Sequence, residues 1–422
     1  MIEIRNETER VILVGVSTSD QDDTYRSLEE LRELADTAGA ETVGTVVQSR
    51  EQIHPGTYIG KGKIEEIKDL LWELEATGII CDDELSPVQM KNLQDELDAK
   101  VMDRTLVILD IFAARASTRE GKIQVELAQL KYRQSRLTGF GKAMSRLGGG
   151  IGTRGPGEKK LEMDRRLIKS RIAQLNRELG DVRRHREITR GARSKKSVPV
   201  AAIVGYTNAG KSTLLNTLTG AGILAEDKLF ATLDPTTRGV KLPGGQEVLL
   251  TDTVGFIRKL PHHLIEAFRS TLEEARYADV ILHVADASNP QMDEQIYTVY
   301  ETLRSLEVVD KPVITVFNKQ DKIEEEKIIR DFHADYTVKL SAKTGDGILE
   351  LLKTIEAVLR EQKVLIEELY PYQEAGGLQM IRKYGELLQE DYREDGIFVR
   401  AYVPASLCGR RQSVRASAGE IL

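Results

Sequence analysis

A lysine and a serine stand side by side at the end of GYTNAGKS (Gly205–Ser212). Glycines at both ends of such a stretch, closing on Lys-Ser, give the G-x-x-x-x-G-K-[ST] spacing, here between an apolar run and a helix-forming TLLNTLTG. A loop of this kind turns its backbone N–H groups inward. Those of Asn208 through Thr213 would form an anion nest, reinforced by the N-terminus of the helix that follows. Gly205, Tyr206, Thr207, Asn208, Ala209, Gly210, Lys211, Ser212 and Thr213 are therefore expected to contact a phosphate chain. Gly210 lets the backbone approach the β-phosphate, and Lys211 brings positive charge to the β- and γ-phosphates. The Ser212 hydroxyl is an oxygen donor suited to Mg2+.

Three further groups continue this chemistry. DTVG (Asp252, Thr253, Val254, Gly255) ends an apolar strand 40 residues after Ser212. Asp252 stands where a carboxylate can hold magnesium, and the Gly255 amide can reach a γ-phosphate when the nucleotide carries one. NKQD (Asn318–Asp321) ends another apolar strand. A short carboxylate at Asp321 accepts from the ring N–H and exocyclic amine of guanine. Adenine lacks that pattern, and an unpaired Asp321 would cost on the order of 1–3 kcal/mol. Asn318 can hold the base edge and tie this motif to the phosphate loop, while the Lys319 stem covers the base face. SAK (Ser341, Ala342, Lys343) follows the next strand and can give a backbone amide to the guanine carbonyl oxygen. Each tetrapeptide alone is a weak signal. All of them, in order on successive strand ends, are a strong one.

Between the first two motifs lies LFATLDPTTRG (Leu229–Gly239). A loop here would supply a threonine hydroxyl to magnesium and a backbone contact to the γ-phosphate. Thr232, Thr236 and Thr237 are the candidates, and spacing alone does not choose among them.

These residues need strands to end beside one another. The apolar runs Val198–Val204, Glu247–Thr253, Val280–Asp286, Pro312–Asn318 and Asp335–Ser341 alternate with helical stretches, and Ile348–Leu359 closes the series. This is the pattern of a parallel α/β sheet over residues 197–362. Asp279 and Asp286 flank one of these buried strands and read as structural. A smaller α/β region precedes it over residues 1–115, with strands at Val11–Ser17, Thr42–Gln48 and Ile79–Asp83. Its helices run over Thr24–Ala38 and Ile64–Leu74, and a third is opened by Ser86-Pro87, a capping residue before a first-turn proline. HPGTYIGKGK (His54–Lys63) looks superficially like a second phosphate loop, but Ile64 stands where Ser or Thr would follow the lysine. Gly56, Gly60 and Gly62 read better as a tight strand-to-helix connection, and His54 as a turn residue.

Charge is distributed unevenly. The net charge is −7, yet Arg115–Lys196 holds 23 Lys and Arg against 8 Asp and Glu, a local +15. The remainder then carries −22. Ser117–Leu137 and Leu161–Arg190 each show one narrow apolar stripe, which predicts an antiparallel helical hairpin over residues 116–193. Its tip, Thr138–Lys160, has eight glycines between Gly139 and Gly157, interleaved with Lys142, Arg146, Arg154, Lys159 and Lys160. A solvated charged hairpin with a flexible linker would look similar. A basic glycine-rich tip also lets backbone amides approach nucleic-acid phosphates closely. The last stretch, residues 363–422, contains the helical segment Leu378–Gln389 and a strand Ile397–Val403, and reads as a small α/β appendage. Its end, from Gly409 to Leu422, lacks periodicity and is expected to be disordered.

Composition excludes several classes. Cys81 and Cys408 are the only cysteines, too few for a disulfide framework or a cysteine-rich zinc module. No apolar run approaches the ~20 residues that a membrane helix needs. The opening MIEIRNETER lacks the apolar stretch of a signal peptide. A cytoplasmic, multidomain monomer is expected, with no membrane insertion.

The motif set resembles the translation-factor-related class of P-loop GTPases, and the chain is similar to the HflX family of ribosome-associated GTPases. That likeness is carried by His54–Lys63, Gly148–Glu162 (GGGIGTRGPGEKKLE), Gly205–Asn216, LFATLDPTTR and Asp252–Leu264 (DTVGFIRKLPHHL). It covers residues 1 to about 365, and the tail is less diagnostic. The resemblance implies an α/β fold: a P-loop GTPase domain preceded by a small α/β domain with a long antiparallel helical hairpin, and followed by a small α/β appendage. It favours Thr232 as the loop threonine, with Phe230, Ala231, Leu233 and Asp234 beside the nucleotide. Lys211, Thr232 and Gly255 then act on the γ-phosphate, and Ser212, Thr232 and Asp252 hold Mg2+. It further implies binding of GTP and GDP, and of the large ribosomal subunit and its RNA through the basic hairpin, with ribosome splitting or rescue under stress. The alternatives are a GTPase acting on another RNA and a protein-binding switch whose hairpin is a docking arm.

Two features bear on rate. Phe256 follows DTVG where a water-orienting glutamine is common, and an apolar ring can neither orient nor deprotonate water. Slow intrinsic hydrolysis, raised by the ribosome, is expected, unless Phe256 folds away and another side chain takes over. Asn208 is a loop asparagine of the sort that accompanies K+ binding beside the γ-phosphate. His262 and His263 follow Pro261 and read as surface residues.

Overall fold

The structure is a computed structural model. It describes residues 8–18, 23–147, 156–194, 198–220, 229–261, 264, 274–323, 329–361, 363–374, 378–379, 381–382 and 385–404. The chain forms two compact units. Unit 1 comprises Met1–Val182, Lys228–Leu233 and Lys259–Phe268, and unit 2 comprises Arg183–Asp227, Asp234–Arg258 and Arg269–Leu422.

Unit 1 begins with β1 (Arg10–Ser17), α1 (Thr24–Thr37), β2 (Glu41–Ser49), α2 (Lys61–Glu73), β3 (Gly78–Cys81), α3 (Pro87–Leu97), β4 (Lys100–Asp103) and α4 (Arg104–Arg115). The strands pair in the order β2-β1-β3-β4, all parallel. Each strand buries apolar side chains, Val11 to Val14 being fully enclosed, as befits a parallel sheet covered on both faces. Ser86 caps α3 in a reciprocal box with Gln89, and Pro87 opens its first turn. Asp103 caps α4 by accepting from Leu106 N at 2.9 Å. His54 also acts as a turn residue, its Nδ1 accepting from Gly56 N and Thr57 N.

The hairpin follows as α5 (Arg119–Leu147) and α6 (Pro156–Ser194). Ile123 and Leu127 of α5 pack with Leu175 and Leu179 of α6, flanked by Leu130 and Ile172. Arg171 forks onto Glu126 at 2.7 and 2.9 Å, and Arg165 donates to Leu137 O. Early α5 residues thus meet late α6 residues, which is the antiparallel hairpin that the two narrow stripes require. The glycine-rich stretch 148–155 lies outside the described residues, as do His262, His263 and the tail from 405 onward.

Two short segments from later in the sequence belong to unit 1. The Phe230 ring, 2% exposed, meets Phe112 of α4 edge-on with centroids 4.7 Å apart. Lys259 pairs with Asp82 and, at 2.7 Å, with Asp83. Both residues have positive φ, 54° and 52°, a conformation that side-chain-bearing residues adopt at a cost.

Unit 2 is built on a six-stranded sheet in the order β10-β9-β8-β5-β7-β6. These are β5 (Val200–Gly205), β6 (Thr236–Lys241), β7 (Glu247–Asp252), β8 (Val280–Asp286), β9 (Val313–Asn318) and β10 (Tyr336–Lys339). Only β6 runs antiparallel, forming a hairpin with β7. Helices α7 (Lys211–Thr219), α8 (Met292–Ser305) and α9 (Ile348–Glu361) accompany the sheet. The core gathers Ala201, Ile203, Leu214, Leu250, Leu282, Val316 and Leu351. The sequence continues from β5 to β7 on one side and to β8 on the other. That is a switch point, outside whose strand ends α/β sheets bind ligands.

Three more strands, β11 (Lys363–Tyr370), β12 (Glu386–Arg393) and β13 (Gly396–Pro404), form an antiparallel sheet in the order β11-β13-β12. The helical reading of Leu378–Gln389 thus ends early, because Glu386–Arg393 pairs with β13. Among the described residues no helix is long and apolar enough to cross a membrane.

Candidate functional site

The phosphate loop leaves β5 and enters α7 at Gly210, whose φ is +93°. A Cβ there would lie 2.2 Å from Asn318 Nδ2, so both backbone angle and space demand glycine. Asn208 also has positive φ, 59°. Lys211 is 6% exposed, and its Nζ donates to Tyr206 O at 2.7 Å. Burial pushes its ammonium down to about 8, with the Asp252 charge pulling upward and the Lys319 charge adding to the fall. A cation with such sparse compensation is poised for an anion.

The DTVG segment comes from β7. Ser212 Oγ donates to Asp252 Oδ2 at 2.9 Å, so two of the three expected magnesium donors are adjacent. A hydroxyl and a carboxylate suit a hard cation. Gly255 backs directly onto the loop: a Cβ there would lie 2.8 Å from Thr207 Cα and 3.0 Å from Lys211 Nζ. Beyond it, Thr207 N donates to Phe256 O at 2.7 Å, and Phe256 N to Gly205 O at 3.1 Å. The Phe256 ring is 1% exposed. Phe256 therefore does fold away, and its backbone staples DTVG to the loop. Thr253 Oγ1 donates to Ile203 O at 2.8 Å, and Val254 is buried. Tyr206 OH accepts from Arg258 N at 2.9 Å.

The base-reading residues converge on the same edge. Asn318 Nδ2 donates to Ala209 O at 2.8 Å, and Asn318 Oδ1 accepts from Ala342 N at 2.9 Å. One side chain thus ties NKQD to both the phosphate loop and SAK. Ser341 Oγ donates to Asp321 Oδ1 at 2.6 Å, and that bond, ahead of nearby lysines, lowers the carboxyl's pKa. Asp321 is consequently ionised and acceptor-only at neutral pH, as guanine reading requires. Lys343 is exposed beside it.

Lys319 has φ +64°, and its Nζ pairs with Asp286 Oδ2 at 2.7 Å. Sequence reasoning took Asp286 only as a strand terminator. It also fixes the stem expected to cover the base. The signal available was its place at the end of the strand next to NKQD.

Thr232, with Phe230, Ala231 and Leu233, lies in unit 1, while Asp234 lies in unit 2. Thr232 is half-buried. The alternatives Thr236 and Thr237 are in β6, where Thr237 Oγ1 meets Thr251 Oγ1 at 3.0 Å.

Three family descriptions match successive parts of the chain. They are "GTP-binding GTPase N-terminal" over residues 25–113, "GTP-binding GTPase Middle Region" over 115–193 and "50S ribosome-binding GTPase" over 200–319. GTPase HflX of Lacrimispora saccharolytica is 69% identical over 407 residues, covering 96% of this chain and 96% of the relative. GTPase HflX of Caldanaerobacter subterraneus subsp. tengcongensis is 50% identical, covering 96% and 94%. GTPase HflX of Escherichia coli K12 is 44% identical over 350 residues, covering 82% of each chain.

Proposed function

We propose that this chain, which belongs to the HflX family of GTPases, couples GTP binding and hydrolysis to association with the large ribosomal subunit, and to ribosome splitting or rescue under stress. That it hydrolyses GTP is common to its relatives. The ribosomal partner is supported by the "50S ribosome-binding GTPase" description matching residues 200–319. The observation that carries the reading is the local charge of +15 over Arg115–Lys196 in a net −7 chain, most of it on one helical hairpin. Shape-driven recognition of folded RNA through phosphates and 2′-hydroxyls uses such a surface.

In hydrolysis, the loop amides and Lys211 hold the phosphates, and Gly255 N contacts the γ-phosphate. Ser212, Asp252 and Thr232 would hold Mg2+, which neutralises charge on the β- and γ-phosphates when bound. Asp321 and Asn318 select guanine. Phe256, sealed in the interior, offers no group to the attacking water. Another group must orient the water, and we propose that the ribosome supplies it, leaving intrinsic turnover slow. Asn208 is the residue that would hold K+, which would share γ-phosphate charge when bound.

Cosedimentation with purified subunits in GTP, GDP and a non-hydrolysable analogue tests the partner. Association with the large subunit in GTP, weakening steeply as salt rises, is expected. Binding of another RNA without subunit association would replace the ribosome with that RNA. Salt-insensitive binding would turn the hairpin into a protein-docking arm.

A further inference from the structure

Unit 1 holds two adjacent carboxylates that the GTP chemistry does not use. In the sheet order β2-β1-β3-β4 the connections turn opposite ways on the two sides of β1. That is a switch point, outside whose strand ends α/β sheets receive ligands. Asp82 and Asp83 follow β3 there. Asp82 is 1% exposed. Its Oδ1 accepts from the Arg104 guanidinium at 3.1 Å and its Oδ2 from Ser27 Oγ at 2.7 Å. Asp83 Oδ2 accepts from Tyr58 OH at 2.7 Å. Tyr58, buried and with φ +67°, belongs to His54–Lys63, the segment that only looks like a phosphate loop. That segment therefore has a structural task, which is to fix Asp83.

The two carboxylates share one guanidinium, and Arg104 also serves Glu30 at 2.8 Å. A second cation is needed to balance them. It is Lys259, on the chain that runs on from DTVG. Its Nζ donates to Asp82 Oδ2 and, at 2.7 Å, to Asp83 Oδ1. Burial opposes the Asp82 charge, but Arg104 and Lys259 outweigh it and lower the pKa. The place where a ligand would enter this sheet is thus taken by the protein's own lysine.

The chain passes from unit 2 into unit 1 between Arg258 and Lys259. Within unit 2, Arg258 N donates to Tyr206 OH at 2.9 Å, and its guanidinium meets Glu294 at 3.4 Å. Within unit 1, Lys259 is held at φ +52°, a left-handed angle that costs a lysine energy and persists because its surroundings enforce it. Gly255 lies only four residues back. The other nucleotide segment repeats the arrangement: Phe230, at φ +54° and two residues before Thr232, seats on Phe112. Phe112 and Arg104 belong to the same helix, α4. An incidental surface ion pair would explain neither the enforced backbone at Lys259 nor its repetition at Phe230.

We propose that Lys259 is a positioning residue for GTP hydrolysis: by seating on Asp82 and Asp83 it sets the course of the chain that carries Gly255. Lys259 touches no substrate and acts through the backbone. The inference rests on the reading that Gly255 N meets the γ-phosphate, and it does not depend on the ribosome.

The test is single-turnover GTP hydrolysis by the full chain, with GTP and GDP affinities measured alongside. Lys259→Asn removes the cation and keeps a residue type that tolerates left-handed backbone. The Lys259 side chain is 40% exposed, and such a pair adds little to stability, so the thermal midpoint should barely move. The rate constant is expected to fall roughly tenfold, with both nucleotide affinities held within about twofold, since misplacement of a reacting group costs rate rather than binding. Lys259→Arg should restore most of the rate. Asp83→Asn should slow hydrolysis as well, and the double variant should be no slower than the slower single one, because both remove the same contact. A wild-type rate in Lys259→Asn overturns the proposal, and so does a loss of rate matched by an equal loss of GTP and GDP affinity. Gly255→Ala, whose added Cβ would press on Thr207, separates the two ideas. A normal rate in Gly255→Ala fails the γ-phosphate reading, whereas a slow Gly255→Ala beside a wild-type Lys259→Asn fails the proposal alone.

Discussion

Arg104 in unit 1 and Lys211 in unit 2 are both withdrawn from solvent, at 1% and 6% exposure. Their surroundings differ. Arg104 donates to Glu30 at 2.8 Å, to Asp82 at 3.1 Å and to Ser27 O at 2.9 Å. Burial works against its charge, but Glu30 and Asp82 outweigh it and raise the pKa. Lys211 has a backbone carbonyl at 2.7 Å and a lowered pKa. A buried cation saturated with carboxylates maintains a fold. A buried cation left short of negative charge is a receptor for an anion brought from outside.

The largest expected effect tests the first half of that contrast. Arg104→Met takes the guanidinium away from Glu30 and Asp82, leaving Asp82 with Ser27 and Lys259, and breaking a buried pair in this way costs roughly 3–5 kcal/mol. Urea unfolding of the variant should show a loss of that order. A loss below about 1 kcal/mol would put Arg104 with ordinary surface bridges.

Lys211→Met tests the other half. Removing one preorganised charge from phosphoryl transfer should lower kcat/KM for GTP about 100- to 1,000-fold. The nucleotide-free thermal midpoint should hold or rise, since a poorly compensated buried charge disappears. If this variant instead melts as early as Arg104→Met, the two cations play the same structural role and the contrast fails.

Lys211 was legible in the sequence and Arg104 was not, for physical reasons. Phosphate binding needs particular residue types at fixed backbone offsets, so GYTNAGKS announces itself. The tie from Asn318 to the phosphate loop was legible too, because motif order fixes which strand ends meet; its second bond, from Ala342 N, was not. Arg104 begins α4 directly after β4, and VMDRTLVILDIFAAR runs from strand to helix with no glycine or proline between them. Its partners Glu30 and Asp82 lie 74 and 22 residues away, a distance no local pattern encodes. The assignment of Phe230 to unit 1 was hidden similarly, since an apolar residue in a polar loop names no partner. In the C-terminal sheet, Glu386–Arg393 carries alternation too weak to outcompete a helical reading until β13 pairs with it.

A smaller effect distinguishes base reading from phosphate holding within unit 2. Asp321→Asn replaces an acceptor-only carboxylate with an amide that offers donors to the guanine N–H groups. GTP affinity should fall on the order of 1–3 kcal/mol, with xanthosine triphosphate gaining relative to it. Isothermal titration of both nucleotides reads this directly. An undiminished preference for guanosine would remove Asp321 from the base site, leaving Lys211 untouched.

The smallest effect sharpens the contrast most, because one residue produces two opposite trends. In the empty protein Lys211 titrates at about 8 rather than 10.5. A lowered lysine pKa means that the folded state disfavours the proton relative to the unfolded chain. The resulting destabilisation is fully present below pH 8 and is relieved as pH rises towards 10.5. Nucleotide-free protein should thus gain stability across that window from this residue. Bound phosphate favours the ammonium and raises its pKa. Above pH 8 nucleotide binding must therefore draw in a proton, and GDP affinity should fall by up to about tenfold per pH unit. Calorimetry at pH 8.5 in buffers of different ionisation enthalpy should register proton uptake that Lys211→Met abolishes. Arg104, charged throughout because its carboxylates hold it so, should contribute nothing to either slope. Proton uptake that persists in Lys211→Met would move the titrating group elsewhere and dissolve the distinction between the two cations.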